Sequence, residues 1–183
     1  SDCTGSGTCD TRGKGFFVVD LTNGNIIWSF TKGSSDTSKT STAMKYSIPA
    51  LPSIVDTDGD GFIDTAYIGD LGGNMWRFTF CRDQDMTANC GISNWGGGKF
   101  YDSSADPKSI YTSASVVKDE GGNIWVYWGT GNKIAPTAKT SIQEYFYGVK
   151  DGRASTPYNA GNLTTLGAGA TTTFDPASSN AGF

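Results

Sequence analysis

Not one of the 183 residues is histidine. That removes the commonest general base, the Ser-His and Cys-His nucleophile pairs and most transition-metal sites, so a non-enzymatic role is expected. Charge is scarce as well: 17% of residues carry it, the net charge is −4 and the pI is near 4.7. No basic stripe can neutralise phosphates, which argues against nucleic acid or an anionic membrane as partner and suits a divalent cation better. No apolar run approaches the roughly 18 residues needed to cross a bilayer. The chain opens Ser1-Asp2-Cys3, with neither Met nor an apolar leader, and reads as mature sequence or as a piece of something longer.

Cysteine is limited to four residues, and none has the Cys-x-x-Cys spacing of zinc or thioredoxin-type sites. They fall as two close pairs, Cys3/Cys9 and Cys81/Cys90. Two local disulfides in an oxidising compartment, whether secreted, periplasmic or on a cell surface, are preferred over four buried thiols in a cytosolic protein.

What the chain has in abundance is glycine, 25 residues of it, with Ser, Thr and Asn crowded between short apolar runs. This is the profile of an all-β protein of many short strands. Residues 15–30 read as a hairpin, with β-branched and aromatic runs on both sides of Asp20-Leu-Thr-Asn-Gly24. Residues 31–45 read as a loop, and Ser47 to Val55 as an edge strand or strand start because of its prolines. A second hairpin is expected from Thr65–Asp70 and Asn74–Phe80 around Leu71-Gly-Gly73. Trp95-Gly-Gly-Gly98 reads as irregular. Further strands are expected at 112–117, 123–128 and 144–149, and residues 154–183 as a long loop or frayed end.

Two internal registers compete. Gly-Asn followed closely by Trp recurs at Trp28, Trp76 and Trp125, with the first two placed on the second strand of a hairpin and Trp125 not. The better register pairs Ser53–Val55 with Ser115–Val117 and Ala66–Gly69 with Val126–Gly129. It makes Lys118-Asp-Glu-Gly-Gly-Asn123 the counterpart of Asp56-Thr-Asp-Gly-Asp-Gly-Phe-Ile-Asp64. A connection that needs no acid cluster in one unit carries four aspartates in the other, which points to chemistry in the second.

With Asp56 as position one, carboxylates stand at positions one, three, five and nine, Gly61 at six and the Phe62 carbonyl at seven. That is the oxygen pattern of an EF-hand-type loop, and it makes Asp56, Asp58, Asp60, Asp64 and the Phe62 carbonyl the candidate Ca²⁺ ligands. Position twelve is Tyr67 instead of a bidentate Glu and the flanks read as strands, so no helix pair exists to open. Gly129-Thr-Gly-Asn-Lys133 lacks P-loop spacing and reads as a turn, as does Asp151-Gly152-Arg153. The aromatic residues at alternating strand positions read as core. Asn162-Leu-Thr164 is a formal glycosylation sequon.

Val19-Asp-Leu-Thr-Asn-Gly24 with Trp28, Pro52 through Trp76 including the acidic loop, Gly129-Thr-Gly-Asn132, and Tyr147-Gly-Val149 with Asp151 occur in an order that resembles the C-terminal propeller of the PilY-type proteins of the type IV pilus tip. The resemblance covers residues 13–152. It implies a partial, quinoprotein-like β-propeller of two to three blades over residues 1–153, followed by a loop-rich or disordered segment at 154–183. It also implies a Ca²⁺ site governing pilus extension and retraction, hence twitching motility and adhesion, at a cell surface. The expected partners are minor pilins or other tip components, a host or abiotic surface, and the rest of the same propeller. Because a propeller closes with ~4–8 blades, the chain is expected to be a portion of a longer polypeptide. Two rival readings are a fragment of a quinoprotein-type dehydrogenase and a structural surface or filament subunit in which calcium only staples a loop.

Overall fold

In a computed structural model of the chain, residues 12–80, 91–134, 143–167 and 181–183 are described. The strands run β1 (Gly15–Val19), β2 (Ile26–Lys32), β3 (Thr40–Ser41), β4 (Ser53–Val55), β5 (Thr65–Gly69), β6 (Met75–Thr79), β7 (Gly96–Tyr101), β8 (Ser115–Lys118), β9 (Ile124–Gly129) and β10 (Phe146–Lys150). They form three sheets, ordered β1-β2-β3, β4-β5-β6-β7 and β10-β9-β8. All pairings are antiparallel except the short β2–β3 contact, which lies inside the stretch expected as loop.

The middle sheet is buried on both faces, and the alternation of its strands shows why. Ala66 and Ile68 of β5, with Trp76 and Phe78 of β6, face the first sheet and pack on Trp28 and Phe30 of β2 and on Met44. Tyr67 and Met75 point the other way, onto Val126 and Trp128 of β9 and Val149 of β10. Because successive side chains on a strand alternate faces, a strand between two cores is buried at every position. All five residues of β5 are accordingly buried. Three sheets stacked through two aromatic-rich cores are consecutive units of a β-propeller arrangement.

β7 departs from the sequence reading, which makes Trp95-Gly-Gly-Gly98 irregular. Gly96, Gly97 and Gly98 pair with Thr79, Phe78 and Arg77 across the β6–β7 ladder. A Cβ on Gly97 would stand 2.3 Å from the Phe78 ring, so the bare backbone is what lets that ring lie across the strand. Glycine normally weakens a strand, but here close approach decides the matter.

The third sheet gains a fourth edge from the far end of the chain. Gly148 N–H donates to the Phe183 carbonyl at 2.7 Å, Phe183 N–H returns to Gly148 at 2.8 Å, and Lys150 N–H donates to Ala181 at 2.7 Å. The described part of the 154–183 segment also pairs Tyr158 beside Tyr101 at the end of β7 and holds a 3-10 turn, Ala160–Asn162, closed by reciprocal bonds between Asn159 and Asn162. With residues 181–183 added, the second and third sheets are both four-stranded meanders, so β4 corresponds to β8 and β5 to β9. The first strands of the two meanders touch, and the Ser53 hydroxyl donates to the Ala114 carbonyl between them.

That correspondence carries one correction. Trp125 does lie on the second strand of a hairpin, β9 opposite β8. The Gly-Asn-x-Trp recurrence misleads for a different reason: the Trp76 hairpin joins the middle two strands of its sheet, whereas the Trp125 hairpin joins the first two. Both turns nevertheless close in the same way. Asp70 accepts from Asn74 N–H at 3.0 Å and Trp76 Nε1 at 2.8 Å. Asp119 accepts from Asn123 N–H at 2.8 Å and Trp125 Nε1 at 2.9 Å.

Candidate metal centre

The acidic loop joins β4 to β5, on the strand pair that meets the third sheet. Its backbone is shaped by its own carboxylates. Asp56 Oδ1 accepts from Gly59 N–H at 2.6 Å and Oδ2 from Gly61 N–H at 2.8 Å, holding the chain in a tight coil. Gly59 and Gly61 adopt φ of +86° and +93°, a region closed to most side chains, which is why glycine stands at these positions. The two amide bonds, Gly61 first, hold the Asp56 carboxyl below its ordinary range. Asp58 accepts from Asp60 N–H at 3.2 Å and Asp60 from Phe62 N–H at 2.7 Å.

Of the five candidate ligands, the structure brings three carboxylates together: one oxygen from each of Asp56, Asp58 and Asp64 lies within 4.8 Å of the other two. Asp60 stands outside that group, its carboxylate turned to the Phe62 amide. Phe62 has its ring in solvent. Ca²⁺ binds oxygen at about 2.3–2.6 Å, so two ligands of one ion are separated by at most about 5 Å. The spacing of the three acids meets that limit, and an all-oxygen donor set matches a hard cation. Asp58 is open to solvent and Asp56 half-buried, whereas Asp64 is only 4% exposed. In the apo protein three like charges at this distance repel one another.

Asp64 is held from a second layer of residues. Its Oδ2 accepts from the Thr57 amide and the Thr57 hydroxyl, both at 2.7 Å, and its Oδ1 accepts from the Thr65 hydroxyl. Those hydroxyls are in turn acceptors for one guanidinium: Arg153 Nη2 donates to Thr57 Oγ1 at 2.7 Å and Nη1 to Thr65 Oγ1 at 3.1 Å. Arg153 comes from the third sheet, three residues past β10, and Lys118 of β8 adds a bond from Nζ to the Thr57 carbonyl at 3.0 Å. A polar cleft lined by Thr57, Asp58, Asn123 and Arg153 runs between the two sheets beside the loop.

Behind Arg153 lies a buried ion network that the sequence reading reduces to a turn. Asp151 is 7% exposed, accepts from Arg77 Nη1 at 2.6 Å and from the Arg153 amide at 2.7 Å, and takes the Tyr67 phenol proton in a hydrogen bond. Burial pushes the Tyr67 phenol upward, and the Asp151 charge adds to the shift, so Tyr67 stays a donor. Arg153 has a φ of +57°, and it is the one non-glycine residue with positive φ among the described residues. Holding a side-chain-bearing residue there costs on the order of 1 kcal/mol or more, and such strain persists where surrounding contacts fix it. An Arg at this position, next to a Gly, leaves a faint signal in sequence. No spacing rule exposes Thr57 or Thr65. Cys3, Cys9, Cys81 and Cys90 lie outside the described residues.

Stacked four-stranded meanders with an acid-lined loop on the first connection of one unit define a portion of a β-propeller. The chain belongs to the PilY1 beta-propeller domain family, whose model matches residues 4–175. It is 32% identical over 170 residues to the Type IV pilus biogenesis factor PilY1 of Pseudomonas aeruginosa, an alignment covering 81% of this chain and 14% of that protein. A Type IV pilus biogenesis factor PilY1 homolog of Xylella fastidiosa is 34% identical over 77 residues, 40% of this chain and 5% of that protein. The crystal structure of the Pseudomonas aeruginosa PilY1 C-terminal domain superposes with a TM-score of 0.57 at 28% identity, covering 80% of this chain and 34% of that one. The chain thus spans about one seventh of the length of the Pseudomonas aeruginosa relative. Among the described residues no helix is long and apolar enough to cross a membrane.

Proposed function

We propose that this chain is the calcium-binding propeller portion of a type IV pilus biogenesis factor. The observation that carries the reading is the convergence of Asp56, Asp58 and Asp64 within 4.8 Å on a loop whose corresponding connection, Asp119–Asn123, closes with a single clasping carboxylate. Asp56, Asp58 and Asp64 supply direct carboxylate oxygens. Asp60 and the Phe62 carbonyl complete the shell through water or a small loop adjustment, since Ca²⁺ takes ~6–8 oxygens. A bound Ca²⁺ supplies charge neutralisation, tying a self-repelling loop into one conformation. The residues themselves would select the ion by their all-oxygen donor set and hold it beside the cleft that Thr57 and Asp58 line.

In the longer polypeptide the site acts at the cell surface, where calcium occupancy sets whether the propeller supports pilus extension or retraction, and with them twitching motility and adhesion. The partners are minor pilins or other tip components, a host or abiotic surface, and the remaining blades. The binding claim is tested by calorimetric titration of Ca²⁺ into wild-type and Asp64→Asn protein. Saturable binding that the substitution weakens by more than ~100-fold is expected, and a wild type that takes up no Ca²⁺ refutes the reading. The pilus role is tested by placing Asp64→Asn in the full-length protein and counting surface pili and twitching-zone diameter. Unchanged values would separate calcium binding from pilus control.

A further inference from the structure

We infer that Arg153 is the positioning residue of the calcium loop: reaching across from the third sheet, it fixes the two threonine hydroxyls that orient Asp64 and so makes the loop and the inter-sheet junction one unit. The inference rests on the calcium reading for its ion-binding half and on hydrogen-bond geometry for the rest.

Thr57 and Thr65 each have one proton to give and lone pairs to receive with. A guanidinium donates only, so Arg153 Nη2 and Nη1 occupy acceptor sites on both hydroxyls and leave their protons free for Asp64 alone. Without Arg153 each hydroxyl could rotate to a water or a backbone carbonyl, and the buried Asp64 carboxylate would lose its fixed orientation. Arg153 is held in turn. Its amide donates to Asp151 Oδ1 at 2.7 Å, and Asp151 is pinned by Arg77 of β6 and, through its own amide, by the Ile124 carbonyl at 2.8 Å. The chain of contacts therefore runs from the ion loop through Arg153 to residues of both sheets. A lysine could not replace it, because one ammonium lacks the planar fork that spans two acceptors. Only at this residue, among those described, does a side-chain-bearing backbone hold positive φ.

Simple electrostatics predicts the opposite sign from positioning, which makes the test decisive. Removing a cation near a cation site should strengthen Ca²⁺ binding by Coulomb's law. Loss of an outer-layer orienting group instead typically weakens binding by ~10–100-fold. Arg153→Gly relieves the positive φ, so the backbone is not penalised, and Thr57→Val removes one relay hydroxyl without changing charge. Both are titrated with Ca²⁺ by calorimetry, and amide hydrogen exchange over residues 56–65 and 150–154 is followed in apo and Ca²⁺-loaded protein. The expected result is at least about tenfold weaker binding in both variants. In apo protein, faster exchange over 56–65 is expected in Arg153→Gly, and Ca²⁺ should protect 150–154 in wild type but not in that variant. Equal or tighter binding by Arg153→Gly overturns the inference while leaving the calcium reading intact. If the wild type takes up no Ca²⁺, the calcium reading fails and the ion half of the inference with it. The joint is then judged on apo exchange alone, and unchanged exchange over 56–65 overturns it.

Discussion

The connection from β4 to β5 and the connection from β8 to β9 occupy the same place in successive four-stranded sheets, yet they solve the same problem with different chemistry. The shorter one uses a single acid. Asp119 receives the Asn123 amide, the Asn123 side chain and the Trp125 indole, so its charge is consumed by the turn it closes. The longer one repeats that economy at its first residue, where Asp56 receives the amides of Gly59 and Gly61, and then adds Asp58, Asp60 and Asp64. Each of these also accepts a loop amide, Asp58 from Asp60, Asp60 from Phe62 and Asp64 from Thr57, but closing the turn between the strands takes only one carboxylate in the shorter connection. That leaves Asp58 and Asp64 aimed at the same small volume as Asp56, and that excess is what a cation would neutralise.

Replacing residues 56–64 by the Asp119–Asn123 turn is the severest test of this comparison. The protein is expected to keep its near-ultraviolet circular dichroism and to lose Ca²⁺ binding altogether; an unfolded product would show that the loop is required by the fold. Next comes Asp64→Asn, which keeps the shape of the buried side chain but removes its charge. Calorimetry should show a loss beyond the ~10–100-fold seen when outer-layer partners are removed. Asp60→Ala is expected to cost about tenfold or less, since the Asp60 carboxylate is engaged by the Phe62 amide and stands outside the three-acid group. If instead Asp60→Ala equals Asp64→Asn, the loop closes further around the ion than its apo form shows. Asp119→Ala should lower the melting temperature and leave Ca²⁺ affinity unchanged.

The smallest effect, and the one that separates turn chemistry from burial, is in the titration of the apo protein. Asp56 and Asp119 are both held below the ordinary value, by the Gly61 and Gly59 amides in one case and chiefly by the Asn123 side chain and Trp125 indole in the other. A lowered folded value means that their contribution to stability is complete above the unfolded Asp value of about 3.9 and is lost as pH falls through the folded values. Asp70 makes nearly the same bonds as Asp119, but burial drives its carboxyl upward against the Asn74 and Trp76 donors. Its sign is reversed: ionised at neutral pH it opposes folding, and that opposition is relieved as pH falls through its raised value. Carboxyl-carbon NMR titration should place Asp56 and Asp119 below about 3.9 and Asp70 above it. If all three titrate together, environment does not distinguish the two identical turns.

The strands were legible where alternation and a turn residue coincided. Both hairpins of the first two sheets, and β8 to β10, stand where β-branched runs and glycine turns put them. β7 was not legible, because a triple glycine reads as a breaker until the Phe78 ring that lies over Gly97 is known. The pairing of Ala181 to Phe183 with β10 was invisible for a related reason: nothing in a short Ala-Gly-Phe segment fixes a partner, and the contact is set by the fold. At the site, the acids announced themselves by spacing, since alternate oxygens along a short loop are a local property. The role of Arg153 is not local. It depends on a residue about ninety positions downstream reaching two threonines, and a Gly-Arg step carries no more information in sequence than a turn does.

The tripeptide 181–183 has a consequence for the behaviour of the protein outside its fold. By pairing with Gly148 and Lys150 it covers the outer ladder of β10, which would otherwise present unpaired amides and carbonyls to solvent. Exposed edges of that kind recruit strands from other molecules. Three residues, paired through their backbone, therefore act as a guard against self-association, and removing them would first be felt in solubility.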